Sequence, residues 1–351
     1  MITGDQSPTA HAVAQHLGLS QTNHLEILDS TQLMDVDPAV MAALAGKVHV
    51  YSRVTPAHKL QIVRALQGGG RVVAMTGDGI NDGPALKAAD IGIAMGRSGT
   101  DIAREVADVV LEKDNLETLI VAIRDGRTIH RNIKKSVHFF LSTNLTEILV
   151  IFSAISAGLG IPLTTMQLLW INLISDIFPG IALSLEAPES DVMAEPPRDP
   201  DAPLFSADDY RRIGGEAAAI TGGALASFLY GRLRYGAGAR AGSLAFQSLT
   251  VAQLLHALSC RSETRSVFYA GTRTPNRHLD AALGGSLLLQ LGTLLIPGLR
   301  KLLGLSPLGL IDLAVAGGGA LAPLLINEKT KPPPPRSDSE SSESDDTDTA
   351  T

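Results

Sequence analysis

The chain has 351 residues, 45% of them hydrophobic and only 4% aromatic, with a single cysteine, Cys260, so an intramolecular disulfide is excluded. Mean hydropathy is +0.17, high for a wholly soluble protein. The net charge of -7 is concentrated at the end, where the last fourteen residues carry six carboxylates and no base; the nearly neutral remainder offers no basic surface, and no nucleic-acid partner is expected.

The length allows two or three domains. The opening "MITGDQSPTA" is polar and lacks a basic stretch, so no secretory leader is expected. Residues 1–130 read as α/β. In "HKLQIVRALQGGG", Leu60, Ile62, Val63 and Leu66 have helical spacing and the glycines stop the helix. "RVVAMTGDG" is a strand running into a turn, and "GPALKAAD" opens a helix with Pro84 in its first turn. "DIGIAMG" and "ADVVLEKD" are two further short apolar runs. Strands alternating with helices predict a parallel sheet with ligands at the carboxyl ends of its strands.

After "IHRNIKKSVH" the character changes. Residues 137–159 and 163–185 are long and apolar enough to cross a bilayer as helices. Candidates richer in small residues follow at 213–233, 243–261, 279–299 and 305–327, a composition that suits close helix packing in lipid. This gives a transmembrane domain over 131–327 with about six helices, and 328–351 reads as a disordered acidic tail. Basic residues cluster at 131–135, 211–212 and 261–277, the sides that a cytoplasm-first topology predicts, although Arg232, Arg234, Arg240, Arg300 and Lys301 then lie outside.

"AMTGDGINDGPALKAADIGIAMG", residues 74–96, ends a strand in a glycine turn with Asp78 and Asp82 four residues apart. The plain structural reading is a turn whose Asp caps a helix. The chemical one is a Mg2+ site, because this ion takes one or two carboxylates together with phosphate oxygens and water. Asn81 is placed to donate to a phosphate or to orient either Asp. At the start, Thr3, Gly4 and Asp5 form a second such turn, where Thr3 and backbone amides could cradle a phosphate. Lys59, near the start of a helix in "SRVTPAHK", could neutralise a phosphoryl group.

These parts are those of a haloacid-dehalogenase-type phosphoryl-transfer site. "MITGD", "SRVTPAHK" and "MTGDGINDGPALKAADIGIAMG" resemble, in order and spacing, the phosphorylation-domain motifs of P-type ATPases. The resemblance implies a partial α/β haloacid-dehalogenase-like (Rossmannoid) domain followed by an all-α transmembrane bundle, with Mg2+ as cofactor and ATP as substrate. Carried over, Thr3 and Gly4 contact an aspartyl phosphate, Lys59 stabilises its charge, Asp78 binds Mg2+, and Asn81 and Asp82 complete the site. Gly83 departs from the alanine usual in the family. The family's nucleophile, the Asp of an Asp-Lys-Thr-Gly sequence, does not occur in these 351 residues. The resemblance therefore implies an amino-terminal half of the pump outside this chain, as its missing partner, and a chain inactive alone.

Within the first two spans, Asn144 and Glu147 lie three apart on one helical face, and Asn172, Ser175 and Asp176 lie within one turn. Ionisable groups at membrane depth are costly and mark pathways, and all five offer oxygens suited to a hard cation. "STNLTEI" and "LLWINLISDIFPGIALSLE" resemble the fifth and sixth transmembrane helices of calcium pumps, which implies a transported divalent cation, Ca2+ first. Gln253 stands where that branch carries a glutamate in its eighth helix, which puts a two-calcium stoichiometry in doubt. Glu216, close to Arg211 and Arg212, reads as interfacial. The leading expectation is thus the carboxyl-terminal portion of an ATP-driven cation pump in a bacterial plasma membrane, its phosphorylation domain cytoplasmic. A membrane-anchored phosphatase of the dehalogenase class and a non-catalytic truncated or interacting membrane protein are the rivals.

Overall fold

A computed structural model of the chain describes residues 1–20, 24–32, 38–189, 191–264, 266–268 and 275–331. The acidic tail beyond 331 lies outside the described residues. The chain divides into two compact units, Met1–Ile123 and Arg124–Thr351.

The first unit alternates short strands and helices: α1 (Ser7–His16), β1 (Ile27–Asp29), α2 (Pro38–Ala45), β2 (Val50–Ser52), α3 (Pro56–Gly68), β3 (Ala74–Gly77), α4 (Gly83–Ala88), β4 (Ile91–Met95), α5 (Asp101–Val106) and β5 (Val109–Leu111). β1 and β2 pair in parallel, and Ile2 forms a parallel bridge with Tyr51 of β2. β3, β4 and β5 form a second parallel sheet, with Thr76 opposite Ile93 and Ile93 opposite Val109. Ile2 packs against both apolar clusters of the unit, one around Tyr51 and Ile62 and one around Met75, Leu86 and Ala94. This is the parallel α/β arrangement that the alternation predicts, and the haloacid-dehalogenase-like unit that the resemblance implies. Helix α3 starts where expected: the Thr55 side chain accepts from the His58 backbone, Pro56 opens the first turn, and Gly69 ends the helix.

The boundary between units falls inside α6 (Glu117–Ser156), a helix of 40 residues. The second unit continues with α7 (Thr165–Trp170), a π-helical segment (Ile171–Asp176) and α8 (Ile177–Ser184), which together form one 20-residue span. Then come α9 (Ala207–Tyr235), α10 (Ala239–Ser259), α11 (Arg277–Leu295), α12 (Pro297–Leu302) and α13 (Leu310–Lys329). Among the described residues, three helices are long and apolar enough to cross a membrane: α6, Thr165–Ser184 and α13. Helices α9, α10 and α11 overlap the spans expected at 213–233, 243–261 and 279–299, but are not part of that apolar set. Their glycine, alanine, serine and arginine content dilutes their hydropathy.

Those small residues set the packing. α9 and α13 approach so closely that a Cβ built on Gly223 would sit 2.0 Å from the carbonyl oxygen of Gly319. Close approach of backbones through small residues is a common way to hold helices together where lipid removes the hydrophobic drive. Outward-facing Ile148, Phe152, Leu169, Leu229, Leu288, Leu321 and Leu325 are all exposed, forming the apolar exterior such a bundle needs.

Candidate functional sites

In the first unit, β3 ends at Gly77 and the chain turns through a short 3-10 turn, Ile80–Asp82, into α4. Asp82 is buried at 6% exposure, and its backbone N–H donates to the Gly79 carbonyl at 3.1 Å. The Gly79 N–H in turn donates to Asp82 Oδ2 at 3.4 Å. Lys59, in the first turn of α3, donates through Nζ to Asp82 Oδ1 at 2.5 Å. Gly77 is required here, because a Cβ at that position would lie 2.6 Å from Asp82 Cβ. Asp78 and Asn81 stand exposed on the same loop, Asp78 immediately after the strand. The structure thus joins Lys59 and Asp82 directly and leaves the Asp78 carboxylate open at the carboxyl edge of the sheet. That donor set fits Mg2+: an accessible carboxylate oxygen, with a second carboxylate already held by a lysine.

Thr3 sits at the end of the other sheet. Its backbone N–H donates to the Tyr51 carbonyl at 2.9 Å, and its own carbonyl accepts from Val54 at 3.0 Å. The Thr3 hydroxyl donates to Asp5 Oδ2 at 2.9 Å, and the Asp5 N–H donates back to Thr3 Oγ1 at 3.1 Å. Gly4 and Asp5 are exposed. This local turn holds Thr3 beside the end of β2, and among the described residues no hydrogen bond joins it to Asp78 or Asp82.

Two neighbouring carboxylates brace the sheets. Asp90 accepts from the Val73 backbone N–H at 2.8 Å, which holds its carboxyl below the ordinary range. Asp114 is held down in the same way by the backbone N–H groups of Arg97 and Ser98.

The second unit brings together residues from α6, the π segment and α10. Glu147 and Asp176 are 7% and 2% exposed. Gln253 Nε2 donates to Glu147 Oε1 at 3.3 Å, and Asn172 Nδ2 donates to Glu147 Oε2 at 3.3 Å. Thr143 donates its hydroxyl to Asp176 Oδ2 at 3.1 Å. Asp176 Oδ1, Ser175 Oγ and Gln253 Oε1 are buried without a hydrogen-bond partner. Neither carboxylate has a Lys, Arg or His partner among the described residues. Buried polar atoms are normally satisfied, so the orphaned oxygens of Asp176, Ser175 and Gln253, with the carboxylate of Glu147, are candidate cation ligands, a cradle of oxygens. π-Helical turns inside helices recur at functional sites, and this one ends on Asp176.

Asn144 is not brought into this group. It is exposed, and its amide donates to the Phe140 carbonyl at 2.8 Å. Three residues along a helix are still about 60° apart around it, enough to turn Asn144 outward while Glu147 faces inward. Thr143 takes the inward place beside Asp176, a role its hydroxyl did not advertise in sequence. Glu216, expected at an interface, is instead 4% exposed and bonded to His138 and Arg212.

At one end of the bundle the expected basic cluster is consumed by ion pairs. Arg131 pairs with Asp191 at 3.1 Å and Glu195 at 2.5 Å, and Lys134 pairs with Asp209 and Glu263, both at 3.0 Å. Burial opposes the charge on Lys134, but Glu263 and Asp209 outweigh it and raise its affinity for the proton. These basic residues tie α6 to the loop after α8, to the start of α9 and to the segment after α10.

Two families match the chain: haloacid dehalogenase-like hydrolase over residues 1–90, and cation transporting ATPase, C-terminus, over residues 160–332. Among similar proteins, Calcium-transporting ATPase 1 of Bacillus cereus is 38% identical over 94% of this chain and 39% of its own length. Calcium-transporting ATPase of Bacillus subtilis is 40% identical over 86% of this chain and 34% of its own length. Calcium-transporting ATPase type 2C member 2 of Homo sapiens is 37% identical over 94% of this chain and 35% of its own length. The chain spans little more than a third of the length of these relatives. A dehalogenase-like α/β unit, a membrane-type helical unit and these matches agree: the chain belongs to the cation-transporting P-type ATPases, to whose carboxyl-terminal portion it corresponds.

Proposed function

We propose that this chain supplies the ion-binding half of an ATP-driven Ca2+ pump. Residues 1–130 would serve as the carboxyl-terminal part of the phosphorylation domain, 131–327 as the membrane domain with about six helices, and 328–351 as its tail. The observation that carries the reading is the pair of buried carboxylates, Glu147 and Asp176, in a unit where buried oxygens of Asp176, Ser175 and Gln253 have no hydrogen-bond partner. Glu147, Asn172, Ser175, Asp176 and Gln253 bind the cation, and Thr143 orients Asp176. Asn144 joins only if its helix turns. Two negative charges against one amide, where the family's third carboxylate would stand, suit one Ca2+ better than two.

In the α/β unit, Asp78 offers the open oxygen for Mg2+, and Asn81 and Asp82 shape the loop around it. Mg2+ supplies charge neutralisation at the transferred phosphoryl group of ATP. Lys59, held on Asp82, presents an ammonium to the phosphate, while Thr3, Gly4 and Asp5 cradle its oxygens. The nucleophilic Asp belongs to the amino-terminal half of the pump, outside these residues. The basic residues at 131–135, 211–212 and 261–277 support a cytoplasmic phosphorylation domain, in this reading at a bacterial plasma membrane.

The test is radiolabelled calcium binding to the purified full chain in detergent, with Mg2+ and Mn2+ as competitors. Wild type should bind about one Ca2+, and Asp176→Asn and Glu147→Gln should each weaken binding at least tenfold. Unchanged binding in both variants would make these carboxylates structural glue and put the ion path elsewhere.

A further inference from the structure

A second group of ligating side chains lies in the same unit and plays no part in the cation cradle. It comprises His138 on α6, Glu216 on α9, His256 on α10, and Cys260, which caps the carboxyl end of α10 one turn later. All four are buried, between 2% and 6% exposed. One ligand atom from each of His138, His256 and Cys260 lies within 4.8 Å of the others. His138 Nε2 is 2.5 Å from Glu216 Oε2, His256 Nε2 is 3.7 Å from the same oxygen, and Cys260 Sγ is 3.3 Å from His256 Nε2.

The donor set is unlike the oxygen cradle around Asp176. Two imidazoles, a thiol and a carboxylate are the ligands of a tetrahedral zinc site rather than of a hard cation. Zn–N bonds near 2.1 Å and Zn–S bonds near 2.3 Å require ligand atoms roughly 3.3–3.8 Å apart. The His138–Glu216 contact must therefore open by about 1 Å and the widest separation must close by about 1 Å, both within the reach of side-chain rotation. Arg212 already occupies the other Glu216 oxygen, donating from Nε to Oε1 at 2.8 Å, which leaves Oε2 aimed at the two histidines. Ser142 lies 2.7 Å from His256 Nε2, while its hydroxyl can donate to the His138 and Phe139 carbonyls. His256 Nδ1 is buried without a partner, so hydrogen bonding holds this ring at one nitrogen only.

We propose that His138, Glu216, His256 and Cys260 bind one Zn2+ ion, and that the ion clamps α6, α9 and α10 together. On binding, Cys260 loses its thiol proton to solvent and ligates as thiolate, and the protons on Nε2 of His138 and of His256 move to the Nδ1 atoms, which frees both Nε2 atoms and Glu216 Oε2 for the ion. One proton is released per ion. The clamp is placed to matter: His138 lies nine residues before Glu147 on α6, and His256 three residues after Gln253 on α10. Zinc at this point fixes the two helices whose side chains close around Glu147, so it opposes exchange of the cation bound there. The inference stands independently of which ion the cradle takes.

The test uses the full chain in detergent with Co2+ as a spectroscopic substitute and Zn2+ as its competitor. Cys260 is the sole cysteine, so thiolate-to-cobalt absorption can arise only here. Wild type should show that absorption at one Co2+ per chain, lose it on adding one Zn2+, and release one proton per ion. Cys260→Ser, close to isosteric, should abolish the band and weaken Zn2+ binding at least 100-fold. His138→Gln should weaken it at least tenfold, and Asp176→Asn should leave it unchanged. Absence of the band in wild type, equal Zn2+ affinity in Cys260→Ser, or loss of the band in Asp176→Asn would each overturn the proposal. Zn2+ affinity lowered by Asp176→Asn and not by Cys260→Ser would place the ion in the cation cradle, whereas failure of calcium binding alone would leave the zinc result standing.

Discussion

Substituting alanine at two glycines six residues apart separates a glycine the site needs from one it does not. At Gly77 a Cβ would meet Asp82 Cβ at 2.6 Å, Cγ at 3.0 Å and Oδ2 at 3.1 Å. Real Cβ contacts do not come that close, so Asp82 must shift, and it carries the 2.5 Å bond to Lys59 with it. Overpacking of this kind costs about 1–3 kcal/mol. At Gly83 nothing lies within 4 Å of the built Cβ, and the backbone is helical at φ -49° and ψ -49°. Alanine there gains the helix preference over glycine, roughly 0.5–1 kcal/mol. Amide exchange of residues 77–88 in the full chain reads both. Gly77→Ala should raise exchange about 5- to 150-fold, the equivalent of 1–3 kcal/mol, and Gly83→Ala should slow it slightly. Equal protection in the two variants would refute the claim that Gly77 exists to admit Asp82.

Three further outcomes are expected. The 351-residue chain incubated with Mg2+-ATP should form no acid-stable, hydroxylamine-sensitive phosphoenzyme, since it contains no Asp-Lys-Thr-Gly sequence; a phosphorylated chain would contradict the assignment of the nucleophile. Gly319→Ala would drive a methyl to 2.4 Å from Ser227 Oγ, 2.6 Å from Ser248 Oγ and 2.7 Å from the Gly223 carbonyl. It should destabilise the bundle by about 1–3 kcal/mol, seen as a lower unfolding temperature in detergent. Because the folded Asp90 carboxyl is held below its ordinary value of 3.8, it contributes stability above that pH and loses it as pH falls through the lowered value. Asp90→Asn should therefore flatten the acid limb of the first unit's unfolding curve below about pH 4.

The motifs of the α/β unit were legible because their chemistry depends on local order. Thr55 and Pro56 start α3 one turn before Lys59, and Gly77 ends β3 one residue before Asp78, so the residues that hold the site also punctuate its elements. The Lys59–Asp82 bond was less visible, since it joins residues 23 apart and depends on how α3 packs beside the loop. In the bundle, charge at membrane depth marked Glu147 and Asp176, and Gln253 followed from the resemblance to calcium pumps, which carry a glutamate there. Thr143 escaped notice because a hydroxyl in an apolar helix most often bonds its own backbone. Glu216 was misjudged because Arg211 and Arg212 nearby suggested a solvent edge, whereas Arg212 follows the chain inward to pair with it. Its companions His138, His256 and Cys260 are spread over more than a hundred positions, and only the packing of three helices gathers them.

The π-helical segment between α7 and α8 makes this span a screw rather than a rod. An inserted turn of this type holds one residue more than α-helical winding would, and each residue of an α-helix accounts for about 100° of rotation and 1.5 Å of rise. Rewinding Ile171–Asp176 as α-helix would thus advance the lower half by about 1.5 Å and turn it by about 100°. Depth and bearing change together in that step. Asp176, at the junction, would leave the bearing from which it faces the Thr143 hydroxyl, while Gln167 stayed anchored on the Leu303 carbonyl above it. The thread is already cut into the helix, so a carboxylate can be swung away from its neighbours while the first half of the span stays anchored.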